Sequence, residues 1–262
     1  MIQKSKLRER VLAGLLPGVV PALLVLLWFL VSHSGTVSPH MLPSPASVCA
    51  AFVTLIHTEL LADIEVSARR AFTGFILGGG IAFALGLLNG LLRIGERLFD
   101  STVHMARTIP HLAVIPILIM WFGIGEETKV LLVALGVFFP IYLNTFHGVR
   151  SVDPNLVETA RSYGLRGVRL FREVIFPAAT PSILIGFRHS LGVMWLTLIV
   201  AETVAADSGI GFITTQAREY MQMDVVVVGV LIYAFLGKGA DIMARALEWT
   251  LLPWHPAHRG RR

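Results

Sequence analysis

Long runs of apolar residues, separated by short polar segments, extend along the chain from residue 11 to residue 244. A run of about 20 apolar residues is long enough to cross the hydrocarbon core of a membrane as an α-helix. The pattern therefore predicts an all-α, polytopic membrane protein in which residues 1–262 form a single transmembrane domain. The six predicted spans cover residues 11–32, 71–92, 108–125, 130–149, 182–203 and 225–244.

The second predicted span carries small residues at every fourth position, and this spacing places them on one face of a helix. Small residues allow helices in lipid to approach each other closely, so the pattern predicts a packing seam rather than a substrate groove. The residues of this seam are Gly74, Gly78, Ala82, Gly86 and Gly90.

Composition supports a membrane protein, and the positions of its charges predict an orientation. Of the 262 residues, 55% are hydrophobic and 15% are charged, with a net charge of +5. Of the 22 Lys and Arg residues, 17 fall at the ends or connections on one side of the six predicted spans and four on the other. Cytoplasmic loops carry the excess of positive charge, so both termini are predicted to be cytoplasmic.

The segment 153–177 is the longest markedly polar stretch between two apolar runs, and it lies on the predicted cytoplasmic side. Asp153 is a suitable N-cap and Pro154 suits the first helical position. Gly164 can adopt the left-handed conformation that ends a helix. The pattern predicts a helix, a glycine break and a second helix over 165–172, with Pro177 and Pro181 ending regular structure.

A few polar side chains lie inside the predicted spans, where ionisable groups are costly and often functional. Lys238 and Asp241 are three residues apart, which predicts an ion pair, with an anion-attracting lysine as the alternative. Arg188 is expected to extend towards the cytoplasmic surface. Asn144 is expected to hydrogen-bond to another helix, and Glu202 to act either in a gate or in a helix contact. These five residues are the candidates for translocation or gating.

The sequence lacks the motifs that would indicate an enzyme. There is no phosphate-binding G-x-x-x-x-G-K-[ST] loop, and H-E-x-x-H, G-x-S-x-G and C-x-x-C are also absent. We therefore predict no catalytic residue, no metal site and no cofactor bound by this chain. Segment 150–173 has an excess of only two positive charges and is held near the bilayer, which argues against nucleic-acid binding.

The polar segment resembles the EAA loop of permease subunits in bacterial ABC importers. That loop has the pattern E-A-A, three residues, G, nine residues, I-x-L-P. The matching residues are Glu158, Ala160, Gly164 and Pro177, with conservative departures at Thr159, Val174 and Phe176. Further stretches, among them PHLAVIPILIMWFGI at 110–124 and DVVVVGVLIYAFLGK at 224–238, extend the resemblance over nearly the whole chain.

Among these importers, the aliphatic sulfonate permeases are the most similar, and taurine and nitrate permeases share the architecture. The resemblance implies a homodimeric pore in the bacterial inner membrane, two cytoplasmic ATPase subunits that bind ATP and Mg²⁺, and an external substrate-binding protein. It also implies that the helix at 153–164 couples the ATPases to the spans. The alternatives are an ion-coupled secondary transporter, for which Lys238 and Asp241 would be the motivation, and a membrane-embedded enzyme.

Overall fold

The computed structural model describes residues 2–92, 103, 105 and 108–252, and this part of the chain is helical without any strand. The α-helices are α1 (Ile2–His33), α2 (Pro45–Ile56), α3 (Leu60–Leu91), α4 (Ile115–Phe122), α5 (Glu126–Arg150), α6 (Pro154–Ser162), α7 (Gly167–Leu170), α8 (Phe176–Ala205), α9 (Ile210–Glu219) and α10 (Met223–Leu251). A 3-10 turn (His111–Val114) precedes α4, and a π-helical turn (Phe171–Ile175) joins α7 to α8. The all-α fold predicted from the sequence is confirmed.

The chain divides into two compact units. The smaller contains the residues up to Leu60 and Ile213–Val230, and the larger contains Leu61–Phe212 and Leu231–Arg262. In the smaller unit, Ser44 caps α2 by accepting a hydrogen bond from the Ser47 N–H at 3.1 Å, as the Ser-Pro pair predicts. All the candidate functional residues belong to the larger unit.

Helices α3 and α5 of the larger unit pack along the predicted seam of small residues. A Cβ built on Gly74 would lie 2.7 Å from the Val133 side chain, and one on Gly90 would lie 2.8 Å from that of Val149. The paired positions increase together along both helices, so α3 and α5 are parallel. The start of α5 therefore lies at the end of the unit at which α3 began.

Helix α5 is antiparallel to α8, and α8 is antiparallel to α10. The Ser182 hydroxyl donates to the Asn144 carbonyl at 2.9 Å, and Gly136 lies against Thr197 near the other ends of α5 and α8. As a result, the start of α5 and the end of α8 lie at one end of the unit. Segment 153–177 lies at the opposite end, because it connects the end of α5 to the start of α8.

In the part of the chain that the structure describes, four helices are long and apolar enough to span a membrane: Leu60–Leu91, Glu126–Arg150, Gly167–Val204 and Met223–Leu251. They contain the predicted fourth, fifth and sixth spans, and the second as far as Leu91. The predicted first span lies within α1, whose apolar stretch Gly18–His33 falls short of a full span among the residues described.

The third predicted span, 108–125, is not one continuous helix. Its α-helical part α4 has eight residues, which rise about 12 Å at 1.5 Å per residue, against a hydrocarbon core of about 30 Å. Pro116 stands at the start of α4, and Gly123 ends it with a φ of 77°. Proline at this position sets where the helix begins, because its fixed φ suits the first helical turn.

The expectation that Pro177 and Pro181 end regular structure is wrong. Helix α8 contains both prolines, and it continues the π-helical turn without a break. A proline inside a helix removes one backbone hydrogen bond and its ring crowds the preceding turn. The wider π-turn lies directly before Pro177, where it provides space for that ring. The stretch from Gly167 to Pro177 is therefore the first part of one long helix.

Candidate functional site

The helix–glycine–helix segment begins and ends as its sequence predicts. The Asp153 carboxylate accepts a hydrogen bond from the Asn155 N–H at 2.9 Å, and Pro154 occupies the first turn of α6. At the other end Gly164 has a φ of 87°. The Leu165 N–H donates to the Ala160 carbonyl at 3.1 Å and the Gly164 N–H to the Arg161 carbonyl at 2.9 Å. These two bonds form a Schellman motif, so α6 is capped at both ends.

The base of this segment is attached to the larger unit by packed apolar side chains. Ala160 of α6 and Leu170 of α7 are buried. Ile175 and Phe176 pack against a core cluster of Val149, Ala179 and Ile183. The second half of the segment is thus continuous with α8 and is fixed by its core, so a force on the segment acts on a membrane-spanning helix.

The outer surface of the segment is exposed and partly apolar. The exposed fractions of Leu156, Tyr163 and Val168 are 48%, 85% and 79%. Glu158 and Thr159 are exposed as well, whereas Val174 and Pro177 are partly buried. Apolar side chains at such exposure on a capped helix are typical of a surface that contacts a partner.

At the end of the unit opposite this segment, the Glu202 carboxylate is the centre of a buried polar cluster. Its oxygens accept hydrogen bonds from the Ser67 hydroxyl at 2.8 and 2.9 Å, and from Arg70 Nη1, the Gly211 N–H and the Tyr233 hydroxyl at 2.9 Å each. Glu202 is 1% exposed. A buried carboxylate with this many donors holds α3, α8, α10 and the start of α9 together, which favours the helix contact over the gate.

Arg70 uses all five of its N–H donors in this cluster. Its Nε and Nη2 form a two-pronged pair with the Glu126 carboxylate, and its Nη1 and Nη2 also donate to the carbonyl and hydroxyl oxygens of Ser208. Lys129 contacts Glu126 at 3.0 Å. Our sequence analysis counted Arg70 and Lys129 as charges on an outer loop, but the structure buries both side chains.

One sequence signal could have located this cluster. Asp63, Ser67 and Arg70 continue the helical face of α3 that carries Gly74, at spacings of four, three and four residues. This face of α3 packs against other helices, so a charged side chain on it is stable only if other buried groups pair with it. Asp63 on this face also has a partner, because its carboxylate accepts a hydrogen bond from the Gly209 N–H.

The other candidate residues are Asn144 on α5 and a group of charged residues on α8 and α10. The Asn144 amide donates to the Pro140 carbonyl of its own helix at 2.8 Å, so the expected bond to another helix is wrong. A carbonyl one turn earlier is a close acceptor for an asparagine inside a helix. Lys238 and Asp241 form the predicted ion pair, with 3.7 Å between Nζ and Oδ2.

Arg188 is paired with carboxylates of α10, and its expected extension towards the cytoplasmic surface stays a prediction. Its Nε donates to Asp241 Oδ1 of α10 at 2.9 Å, and its Nη1 lies 3.6 Å from a Glu248 oxygen. Asp241 is also paired with Arg245 at 2.7 Å. Two carboxylates on the neighbouring helix thus hold the guanidinium between α8 and α10.

These features define a class: a multi-pass α-helical membrane protein whose exposed helix–glycine–helix segment leads directly into a long apolar helix. The model of the family described as "Binding-protein-dependent transport system inner membrane component" matches residues 74–251, and the chain belongs to this family. It is therefore a transport subunit and not itself an enzyme.

Similar proteins agree with this assignment. The putative aliphatic sulfonates transport permease protein SsuC of Escherichia coli K12 is 52% identical over 243 residues, which are 92% of each chain. The protein of the same name from Bacillus subtilis 168 is 42% identical over 92% of this chain and 88% of its own. An inward-facing structure of the MetNI methionine ABC transporter has the same fold, with a TM-score of 0.52 and 20% identity over 73% of this chain and 95% of that one.

Proposed function

We propose that this chain is the permease subunit of an ATP-driven importer for aliphatic sulfonates. The proposed substrate rests on one observation: the chain is 52% identical, over nearly the full length of both chains, to a relative named as an aliphatic sulfonates permease. The family description supports a separate binding protein outside the cell. In this proposal the permease is a homodimer, and two cytoplasmic ATPase subunits bind ATP and Mg²⁺.

The segment 153–177 is the proposed contact with the ATPase. Glu158, Thr159, Ala160 and Gly164 form its capped first half, and Val174, Phe176 and Pro177 connect it to α8. A short helix that is capped at both ends moves as one body, so displacement by the ATPase is passed to α8. The excess of Lys and Arg on the side of this segment supports a cytoplasmic position for it and for both termini.

The exposed apolar side chains of the segment allow a direct test of this contact. Tyr163→Ala removes a side chain that is 85% exposed, so it should leave the fold intact while weakening co-purification of the ATPase. Tyr220→Ala is the matched control, because Tyr220 is also exposed (70%) and lies outside the segment. Equal ATPase recovery with both variants would exclude this contact.

The transport activity is tested in liposomes that contain the permease with its ATPase and binding protein. We expect uptake of labelled butanesulfonate that depends on ATP and exceeds the uptake of taurine and nitrate. Omission of the ATPase separates the proposal from a secondary transporter, which would retain uptake driven by an ion gradient. Faster uptake of taurine or nitrate would contradict the sulfonate assignment and identify that compound as the substrate.

A further inference from the structure

A cavity of about 390 Å³ lies between α8 and α10, at the position of Arg188. Ile185, His189, Gly192 and Gly237 line it together with the Arg188–Asp241 pair. Its volume falls within the range of about 300–1,000 Å³ that is usual for small-molecule sites. The lining is mostly apolar around one guanidinium, which suits a short alkyl chain with an anionic head group.

Arg188 differs from Arg70 in the donors that it has left. Every N–H of Arg70 has a partner, whereas Arg188 makes one hydrogen bond, through Nε, within the described part of the chain. Its nearest other partner, Glu248, is 3.6 Å away, and 39% of the Arg188 side chain is exposed. A guanidinium with free terminal N–H groups presents a planar fork that matches the oxygens of an oxyanion.

The depth of Arg188 also favours a ligand. It lies 14 residues before Glu202 on α8, or about 21 Å along the helix axis at 1.5 Å per residue. An arginine at such a distance from the polar cluster, inside a membrane-spanning helix, is costly to keep unless it has a function. Asp241 and Glu248 hold the guanidinium in place but leave the side that faces the cavity open.

We propose that this cavity binds the oxyanion group of the transported organic anion through the terminal nitrogens of Arg188, with Ile185 and the two glycines beside its alkyl chain. The proposal rests on the proposed function for the identity of the cargo. It assigns Arg188 as the specificity-determining cation of the pathway, with Asp241 as the residue that positions it. Lys238 and Arg245 then serve to balance the charge of Asp241.

The test uses cysteines placed in the cavity. Cys49 is the only cysteine and is exposed, so Cys49→Ser provides a background without thiols. Gly192→Cys is introduced there, and Gly237→Cys is a second position in case the first disturbs the protein. A Cβ at either glycine meets nothing within 4 Å. The full-length chain in detergent is treated with methanethiosulfonate reagents that carry either an ethylsulfonate or an ethyltrimethylammonium group.

In each reaction the cysteine thiolate forms a disulfide with the reagent and methanesulfinate leaves. We expect the sulfonate reagent to be favoured over the cationic one, relative to their reaction with free thiol. Arg188→Gln should lower this ratio about tenfold, as expected for the loss of a charge-assisted interaction. Arg169→Gln removes the same charge from an exposed pair with Glu173 outside the cavity and should keep the ratio within about threefold. Excess butanesulfonate should slow labelling unless Arg188 is replaced.

Three results would overturn the proposal: no reaction with either reagent at both cysteines, a ratio that Arg188→Gln leaves unchanged, or an equal loss in Arg169→Gln. These measurements need neither ATP nor a partner. If liposomes fail to take up butanesulfonate but the labelling ratio depends on Arg188, the importer proposal fails and the anion site stands. If uptake succeeds and the ratio is insensitive to Arg188, the anion site fails alone.

Discussion

The close packing of α3 against α5 predicts how much one added methyl group should destabilise the protein. A Cβ at Gly78 would lie 2.5 Å from the Ala134 Cα and closer still to the Ala134 carbonyl oxygen. These are backbone atoms, which cannot turn aside as a flexible side chain would. Ordinary carbon contacts begin near 3.4 Å, so Gly78→Ala requires the helices to separate by about 0.9 Å at this point.

Separation of this size affects the whole seam. A gap of 0.5–1 Å forfeits roughly a quarter to a half of the attraction between facing atoms. In lipid this packing is a principal force that holds helices together. Gly78→Ala is therefore expected to destabilise the protein by about 1–3 kcal/mol, the usual cost of overpacking. For a domain of this size, each kcal/mol lowers the melting temperature by roughly 2–4 °C.

The control is the same substitution two residues further along. Gly80 also lies inside α3, but a Cβ there meets nothing within 4 Å. Gly80→Ala should therefore be neutral or stabilise the helix by roughly 0.5–1 kcal/mol. Thermal unfolding of both purified variants in the same detergent provides the comparison. Equal melting temperatures for Gly78→Ala and Gly80→Ala would refute the seam as the source of the packing energy.

Two further predictions concern the polar cluster and segment 153–177. Glu202→Gln places an amide donor among groups that already donate, and it leaves Arg70 with one buried carboxylate fewer. The free energy of unfolding should therefore fall by about 3 kcal/mol. Glu127→Gln, at an exposed position, should lower it by under about 0.5 kcal/mol. If denaturation shows equal stability, the cluster does not hold the helices. Gly164→Ala should strain the α6 cap by about 1–2 kcal/mol and lower ATP-driven uptake at unchanged expression, whereas Gly125→Ala, at a φ of −143°, should not. Normal uptake by Gly164→Ala would show that the cap is dispensable.

The sites of Arg70 and Arg188 show what a sequence pattern leaves undecided. Both arginines lie within helices that are long and apolar enough to span a membrane, and the sequence around each does not specify the partners that other helices bring to it. Their roles differ because of what other helices bring to them, namely five saturating contacts in one case and a half-open cavity in the other. The extension of Arg188 towards the cytoplasmic surface stays a prediction.

Local rules were sufficient wherever the deciding atoms are close in the chain. The caps of α6, the positive φ of Gly164, the start of α2 at Ser44 and the small-residue face of α3 all follow from a few neighbouring residues, and all are present in the structure. The EAA-like spacing in 158–177 and the matches along the chain were likewise enough to indicate the importer permease family, which the family comparison confirmed.

The tertiary structure decided the remainder. Pro177 and Pro181 continue a helix because a wider turn and a packed core compensate for their missing hydrogen bonds, and no sequence rule counts those contacts. Glu202 became the centre of a cluster because Ser67, Arg70 and Tyr233, up to 135 residues away, converge on it. Helical periodicity specifies which face of a helix is buried, but the partner of that face depends on how the helices pack, and that is determined by the whole chain.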